Sequence, residues 1–285
     1  VNCMMGGNYI RTPEQWKLAF AGAALLALIV WTLWGNTALM VTNITVKAPR
    51  EVSGLRIAHV SDLHNAEFGA GNRELLGLLA EQEPDLIAVT GDLVDSRHTD
   101  MNTALSFVGE AVEIAPVYYV PGNHEARLSD YGELRAGLEA AGAVVLEDRA
   151  VKYMGANLIG LSDPDFALLG DIFGEAPAMT RAKLSELTDP GRYNLLLSHR
   201  PELFETYKDS GIDLVLTGHA HGGQFRLPFI GGLIAPNQGF FPKYDSGLYT
   251  DGRTNMVVSR GLGNSIIPLR FNNRPEIVIV ELVEE

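Results

Sequence analysis

Side chains that can bind metal ions recur in five short clusters along the 285-residue chain. The clusters are Asp62-Leu63-His64, Gly91-Asp92, Gly122-Asn123-His124-Glu125, Ser198-His199 and Gly218-His219-Ala220-His221. Their donors are imidazole, carboxylate and amide groups without a thiolate, a set that suits Mn, Fe or Zn rather than a structural zinc site or a copper–thiolate centre. If the clusters converge, we expect a site for divalent cations, which can activate water for hydrolysis.

Each cluster follows a short apolar segment with the character of a buried β-strand. The segments are 55–60, 86–90, 116–120, 193–198 and 214–217. Helical patterns near 72–83, 104–114 and 131–141 alternate with the first strands and with another at 143–146, which indicates β-α-β units and a largely parallel sheet. Such sheets bind ligands beyond the carboxyl ends of their strands, so we expect the five clusters to meet at one edge.

The remaining strand predictions describe the second half of the chain. Segments 151–154 and 157–161 predict a hairpin, and 255–259 and 276–282 predict the last strands. Glycines 91, 122 and 218 stand beside the ligand clusters, where they let the backbone turn sharply and approach an ion closely. One such motif is weak evidence because most are surface loops, whereas five motifs on successive strand ends favour a common site.

In this order the five clusters resemble the signature of the calcineurin-like metallophosphoesterase superfamily, over roughly residues 55 to 283. The resemblance implies an α/β fold, a four-layer α/β/β/α sandwich with two mixed sheets, and a site for two divalent ions at the sheet edge. It implies that one ion is held by Asp62, His64 and His221, the other by Asn123, His199 and His219, with Asp92 bridging both. A hydroxide shared by the two ions would then attack a phosphate ester in line.

The resemblance also implies roles beyond metal binding. His124 is expected to face the substrate, where it donates a proton to the leaving oxygen or stabilises its charge. Asp95 is expected to orient His124, and Glu125 is a second candidate for that role or for a substrate contact. Arg226 follows the last ligand cluster closely and is the leading candidate for binding a further phosphate, since arginine forks suit phosphate oxygens.

The N-terminal region contains an uncharged apolar segment, residues 18–34, that continues to residue 41. Its length is in the range of a membrane-spanning helix, and Trp16, Trp31 and Trp34 lie near its ends, where indoles prefer the membrane interface. Three interpretations are open: a single-pass anchor, a cleaved secretory signal, or a buried helix of the soluble domain. The predicted organisation is a flank at 1–17, the anchor at 18–41, a connector at 42–54 and a catalytic domain at 55–285.

The apolar segment and the stretch 222–228 resemble a branch of bacterial membrane-associated phosphodiesterases. The expected substrate is therefore a phosphodiester or pyrophosphate linkage, lipid- or nucleotide-linked. A phosphomonoesterase that acts on a soluble substrate and a non-catalytic scaffold are the alternatives. The apolar segment 225–241 either covers an acyl chain, dips into the membrane interface, or folds onto its own core.

Charge and cysteine usage narrow the classes of partner. The formal net charge of −13 argues against a nucleic-acid-binding surface, which needs basic residues to neutralise the phosphate backbone. A small phosphate substrate stays compatible with this charge because bound cations dominate the field of their site. The single cysteine, Cys3, excludes an intrachain disulfide.

Overall fold

The computed structural model describes residues 13–168, 174–264 and 266–285. Cys3 and most of the predicted flank at 1–17 lie outside these ranges. The α-helices of the described residues are α1 Pro13–Thr37, α2 Arg73–Glu81, α3 Met101–Ala111, α4 Asn123–Ala126, α5 Tyr131–Ala140, α6 Asp165–Leu168, α7 Ala176–Leu187 and α8 Phe204–Lys208. The strands are β1 Met40–Ala48, β2 Arg56–Val60, β3 Leu86–Thr90, β4 Val117–Val120, β5 Val144–Val145, β6 Arg149–Tyr153, β7 Ala156–Gly160, β8 Tyr193–Leu197, β9 Leu214–Thr217, β10 Arg226–Leu227, β11 Gly231–Gly232, β12 Ile234–Ala235, β13 Gly239–Phe240, β14 Gly247–Asp251, β15 Thr254–Val258 and β16 Glu276–Glu284.

Two mixed sheets of six strands each form the centre of the molecule. The first has the order β1-β16-β2-β3-β4-β5, in which β2 to β5 are parallel and β16 runs antiparallel to β2. The second has the order β14-β15-β9-β8-β7-β6, with parallel central strands and an antiparallel strand at each edge. The hairpin predicted at 151–161 is the β6–β7 pair.

Apolar side chains form three cores in the described part of the chain, and these define the layers. Residues such as Val89 and Phe107 pack the first sheet against α2, α3 and α5. Ile57 and Leu158 belong to the core between the two sheets. Leu184 and Phe204 pack α7 and α8 against the outer face of the second sheet. The predicted α/β/β/α sandwich is thereby confirmed.

The predicted connector at 42–54 is wrong for its first half. Residues 42–48 belong to β1, which pairs with β16 along nine residues. Ile44, Val46 and Ala48 alternate with polar residues, and this period of two is the pattern of a half-buried edge strand. Pro49 and Gly54, which are residue types typical of loops, lie only in the turn between β1 and β2. Two residues, Ala38 and Leu39, therefore separate α1 from the first sheet.

Helix α1 occupies Pro13–Thr37 rather than the predicted 18–41. It is long and apolar enough to cross a membrane, by length and composition, and Gly35 is its one buried residue. Large side chains along it, among them Phe20, Leu25 and Leu33, are exposed. This exposure excludes the interpretation of α1 as a buried helix of the soluble domain. The helix projects its apolar surface away from the sheets.

Candidate metal centre

The predicted ligands lie just beyond the carboxyl ends of strands from both sheets. Asp62, Asp92 and Asn123 follow β2, β3 and β4, while His199 follows β8 and the His219–His221 pair follows β9. Because these strands are parallel within each sheet, their ends open on the same edge. The structure brings all seven predicted ligands together there, and every one is buried: Asp62, His64, Asp92, Asn123, His199, His219 and His221.

The first cluster joins Asp62, His64 and His221. The Nε2 atoms of the two histidines are 3.3 Å apart, and their rings stack at an angle of 25°. Asp62 Oδ1 lies 3.4 Å from His221 Nε2 and 3.9 Å from His64 Nε2. The ligand atoms of these three residues lie within 4.8 Å of one another, close enough to share one cation.

The second cluster surrounds His199. Its Nε2 lies 3.2 Å from Asn123 Oδ1, 3.2 Å from His219 Nδ1 and 3.2 Å from Asp92 Oδ2. The same Asp92 oxygen is 3.5 Å from His64 Nε2 in the first cluster. One carboxylate atom therefore stands between the two groups of ligands, as a bridge requires.

These distances can be tested against coordination geometry. Two donors that each lie about 2.0–2.2 Å from one ion are separated by roughly 3.0–4.2 Å, depending on the angle at the metal. The separations given above, 3.3 to 3.9 Å in the first cluster and 3.2 Å from His199 to each partner in the second, fall inside that interval. The donor types and these separations are therefore compatible with divalent cations.

Backbone groups and neighbouring side chains orient the imidazoles. His199 Nδ1 lies 2.7 Å from the carbonyl oxygen of Thr90, to which it donates when Nε2 faces an ion. His219 Nε2 is 3.0 Å from Asn237 Oδ1, to which it donates when Nδ1 faces an ion. These contacts leave His199 Nε2 and His219 Nδ1 directed into the clusters.

The two buried carboxylates beside His199 shift the pKa values of the site. Burial lowers the pKa of His199, but Asp92 and Asp62 outweigh it and raise that pKa to about 10. Burial and the nearby Asp92 raise the pKa of Asp62 to about 6, whereas the neighbouring His199 holds the pKa of Asp92 well below its ordinary value. The raised pKa of His199 favours a cationic ring beside Asp92, and bound cations would take over that role.

The ligand loops have an unusual backbone. Asp62, His64, Asp92, His219 and His221 have positive φ angles, between 46° and 64°. Residues with a Cβ seldom adopt this left-handed region, and such strain is concentrated at functional sites. Glycine is required alongside, because a Cβ at Gly122 or Gly218 would overlap with Asp92 Oδ1 or with Ser61 Oγ. The tight packing explains the glycines noted in the sequence.

His124 stands beside the first cluster, with its ring edge-on to His64 at a centroid distance of 4.5 Å. Asp95 Oδ1 lies 3.9 Å from His124 Nδ1, near enough for an electrostatic interaction but beyond hydrogen-bond reach, so the orienting role of Asp95 stays a prediction. The backbone N–H of Ser96 donates to that nitrogen instead, at 3.0 Å. Asp95 accepts from the backbone N–H and the guanidinium of Arg97, which compensates its charge.

Glu125 has a structural position that differs from both predicted roles. Its carboxylate is fully buried and accepts hydrogen bonds from the N–H groups of Asp92, Gly122 and Val94, at 2.8, 2.7 and 3.2 Å. All three of these donors are backbone N–H groups, and the His124 ring is not among them. Glu125 ties the loop after β3 to the loop after β4, so it positions two ligand loops rather than the substrate.

Arg226 is engaged in the loop that contains it. Its guanidinium donates to the Gly222 carbonyl at 2.7 Å and pairs with Asp245 at 3.0 Å. A phosphate contact would require it to leave that ion pair. Sequence reasoning missed two neighbours of the site: Asn237, and Arg200, a buried residue 3.3 Å from His219 Nε2 that pairs with Asp163. Arg200 directly follows His199, whereas Asn237 stands in an apolar loop without a spacing signal.

Comparisons with known proteins agree with this geometry. Residues 55–223 match the family model of the calcineurin-like phosphoesterases. The chain is 30% identical to the uncharacterized metallophosphoesterase YkuE of Bacillus subtilis, over 85% of this chain and 84% of that protein. It is 32% identical to the phosphodiesterase YaeI of Escherichia coli, over 80% of this chain and 82% of that protein.

A third relative is a bovine transmembrane protein with a metallophosphoesterase domain, 29% identical over 92% of this chain and 62% of that protein. The chain belongs to the calcineurin-like phosphoesterase family. It is a metal-dependent phosphoesterase, and its clustered ligands are those of a divalent-metal enzyme.

Proposed function

We propose that the chain hydrolyses a phosphodiester or pyrophosphate linkage in a lipid- or nucleotide-linked substrate, using two divalent ions of Mn, Fe or Zn. Asp62, His64 and His221 would hold one ion, Asn123, His199 and His219 the other, and Asp92 both. The position of Asp92 Oδ2, 3.5 Å from His64 Nε2 and 3.2 Å from His199 Nε2, is the observation that carries this proposal. When bound, such a pair of ions supplies an activated water and neutralises the phosphoryl oxygens for in-line displacement.

His124 complements the ions with a hydrogen bond to the substrate. Burial lowers the pKa of its ring, so the ring is neutral near pH 7. Because Ser96 N–H donates to Nδ1, the single proton of the neutral ring resides on Nε2. His124 then donates through Nε2 to a phosphoryl or leaving oxygen and stabilises the charge that develops there.

Two similarities support the finer part of the proposal. The relative YaeI is named a phosphodiesterase, which favours a diester over a monoester. Helix α1 and the bovine transmembrane relative favour a single-pass membrane anchor, with secretion after signal cleavage as the alternative. An anchored enzyme meets amphipathic phosphates more often than soluble ones, so we expect the substrate to include a lipid or another membrane-associated group.

The test uses the full chain, purified in detergent and loaded separately with Mn, Fe or Zn. Bound metal is measured by mass spectrometry, and turnover is measured with bis(p-nitrophenyl) phosphate, p-nitrophenyl phosphate and a pyrophosphate diester. We expect two ions per chain, hydrolysis of the diester or pyrophosphate, and loss of both metal and turnover in Asp92→Asn. The exposed Asp209→Asn is the matched control, expected to behave like the unmodified chain.

The alternatives give different results. Hydrolysis of the monoester alone would overturn the diester proposal in favour of a phosphomonoesterase. Two bound ions with no turnover on any substrate would favour a non-catalytic scaffold. One ion per chain, or normal metal content in Asp92→Asn, would overturn the bridging role of Asp92.

A further inference from the structure

The strand register places the end of α1 at the same end of the first sheet as the metal centre, beside the carboxyl end of β2. Thr42 in β1 pairs with Val278 in β16, and Val278 pairs with His59 in β2. Thr42 is therefore level with His59, three residues before the ligand Asp62. Because β1 and β2 run in opposite directions, the chain enters β1 from the edge at which β2 delivers Asp62. Helix α1 thus meets the catalytic domain on its metal-binding side.

The junction between α1 and the sheet is short and held by side chains. The Asn36 side chain donates to the carbonyl of Arg270 and accepts from its N–H, both at 2.8 Å. The Arg274 guanidinium lies 4.6 Å above the Trp34 ring and donates to the Ala38 carbonyl at 2.8 Å. With only Ala38 and Leu39 between α1 and β1, the metal-binding edge stays close to the level at which α1 ends.

Two loops on this side, the first of residues 225–241 and the second of residues 266–270, expose large apolar residues. We call these residues the apolar rim. Of the nine exposed large apolar residues outside α1 in the described ranges, six belong to it: Phe229, Ile230, Phe240, Phe241, Ile266 and Leu269. Phe229 is fully exposed, and the other five are between 41% and 74% exposed. Such clustering on a folded domain marks an interaction surface, because large apolar side chains in water are unfavourable.

The loops of the apolar rim are bonded to each other and to both halves of the metal centre. Gln224 donates to the carbonyls of Ile267 and Leu269, at 2.8 and 2.7 Å, and so joins the two loops. Asn237 in the first loop contacts His219, and Arg270 at the end of the second contacts His221. Arg270 is also the residue that holds Asn36 at the end of α1. The rim, the anchor and the metal ligands therefore form one continuous region.

We propose that the apolar rim inserts into the lipid interface in which α1 ends, so that the metal centre opens on the headgroup layer. The continuity of the rim with α1 identifies the bilayer as its occupant, since α1 has the length and composition of a span. Trp34 lies beside the junction, and tryptophan is a residue type that prefers the membrane interface. This inference about the substrate rests on the proposed function: the substrate class is a phosphate ester carried by a membrane lipid.

Membrane contact can be measured without catalysis. In the full chain with Cys3→Ser, the variants Phe229→Cys and Met154→Cys each receive an environment-sensitive fluorophore, and the protein is reconstituted in phosphatidylcholine–phosphatidylglycerol nanodiscs that contain doxyl-labelled lipid. Met154 is a matched control because it is 54% exposed and lies in the β6–β7 turn. That turn is at the opposite sheet edge, since Gly160 at the far end of β7 pairs with Leu197 before His199.

We expect several-fold stronger quenching by doxyl lipid at position 229 than at position 154. Equal quenching at the two positions would overturn the proposal. A probe at 229 that is shielded from water but not quenched would indicate a protein partner or a second copy of the chain, and would also overturn it. The doxyl experiment gives the same answer whether or not the chain is catalytically active.

The substrate class is tested with a rim variant, Phe240→Ser with Phe241→Ser, and with Met154→Ser as control. Hydrolysis of bis(p-nitrophenyl) phosphate in solution is compared with hydrolysis of a fluorogenic phosphatidyl diester in the nanodisc. We expect the ratio of lipid to soluble rates to fall several-fold in the rim variant and to stay constant in the control. An unchanged ratio contradicts the lipid assignment, whereas failure of the unmodified chain on both substrates contradicts the proposed function and leaves the quenching result to decide membrane contact.

Discussion

Individual side chains divide the chemistry of the site between charge and hydrogen bonding. Asp92 contributes a buried negative charge to both ligand clusters, and the raised pKa of His199 reflects that charge. His124 contributes a directed N–H, fixed by the Ser96 backbone on its other nitrogen. Removing the first should abolish metal binding, while removing the second should leave the metals in place. The two roles can therefore be separated by substitution.

His124→Ala is expected to lower turnover by about 10²–10⁴-fold, the usual contribution of a positioned acid or base, with two ions per chain retained. The measurement is kcat for a diester, together with metal content by mass spectrometry. His98→Ala is the control, because His98 is exposed in the loop after Asp95. Parallel loss of metal and turnover in His124→Ala would assign the ring to metal binding instead.

His59 provides a prediction on pH. It is fully buried in β2, its Nε2 is 2.8 Å from Thr90 Oγ1, and its Nδ1 has no hydrogen-bond partner among the described residues. Burial lowers its pKa from 6.5 to about 3. Between these pH values His59 is protonated in the unfolded chain but neutral in the folded chain. The free energy of unfolding therefore falls as the pH drops from 6.5 towards 3.

The His59→Gln variant should lose this part of the pH dependence. In urea unfolding with chelator present, we expect its free energy of unfolding to fall less steeply between pH 6.5 and 4, by up to about 1.4 kcal/mol per pH unit. The comparison of the two slopes cancels the other titrating groups. Identical slopes would show that His59 is protonated to the same extent in both states.

At the level of secondary structure, the folded domain begins with β1 and not at residue 55. It pairs with all nine residues of β16 and places Val46 and Ala48 in the core between the sheets. A chain of residues 55–285 lacks this strand and leaves the edge of β16 unpaired, which promotes aggregation. We expect that fragment to be insoluble or to unfold at a much lower temperature than a chain of residues 38–285.

The test of the two fragments is solubility after expression and the midpoint of thermal unfolding by circular dichroism. The 38–285 fragment is the matched control because it keeps β1 and omits α1. Equal midpoints for both fragments would mean that β1 contributes nothing to the stability of the domain.

For the whole molecule, the proposed metal centre would join the two sheets. Asp62, Asp92 and Asn123 come from the first sheet, and His199, His219 and His221 come from the second. Ions bound to both sets oppose the separation of the sheets, and ligand linkage gives about 2.7 kcal/mol of stabilisation when free metal exceeds its Kd 100-fold. Chelation should therefore lower the unfolding midpoint and abolish turnover together.

Readdition of Mn, Fe or Zn should restore both properties, and the metal that restores most turnover identifies the preferred cofactor. Because the pKa of His199 is about 10 without metal, binding at pH 8 should release protons, detectable with an indicator dye in weak buffer. A midpoint insensitive to chelator would contradict a centre shared by the two sheets.

The sequence was sufficient for the fold class and for the convergence of the ligands, since both depend on apolar strands followed by polar residues. It was insufficient where a residue acts through three-dimensional neighbours. Glu125 looked like a second acid beside His124, yet its bonds to three distant N–H groups could not be read from spacing. Asn237 meets His219 only because β12 and β13 fold the apolar loop back. The strand β1 was missed because its short alternating pattern, Ile44, Val46 and Ala48, stands next to the loop-forming residues Pro49 and Gly54.

The two-residue junction of Ala38 and Leu39 has a kinetic consequence. Two extended residues span about 7 Å, so the catalytic edge has almost no reach away from the helix that carries it. If α1 is embedded in a bilayer, collisions with substrate occur within a thin layer, and the rate depends on molecules per unit area of membrane rather than on bulk molarity. Diluting the substrate with inert lipid would then slow the enzyme, while diluting the whole suspension with buffer would not.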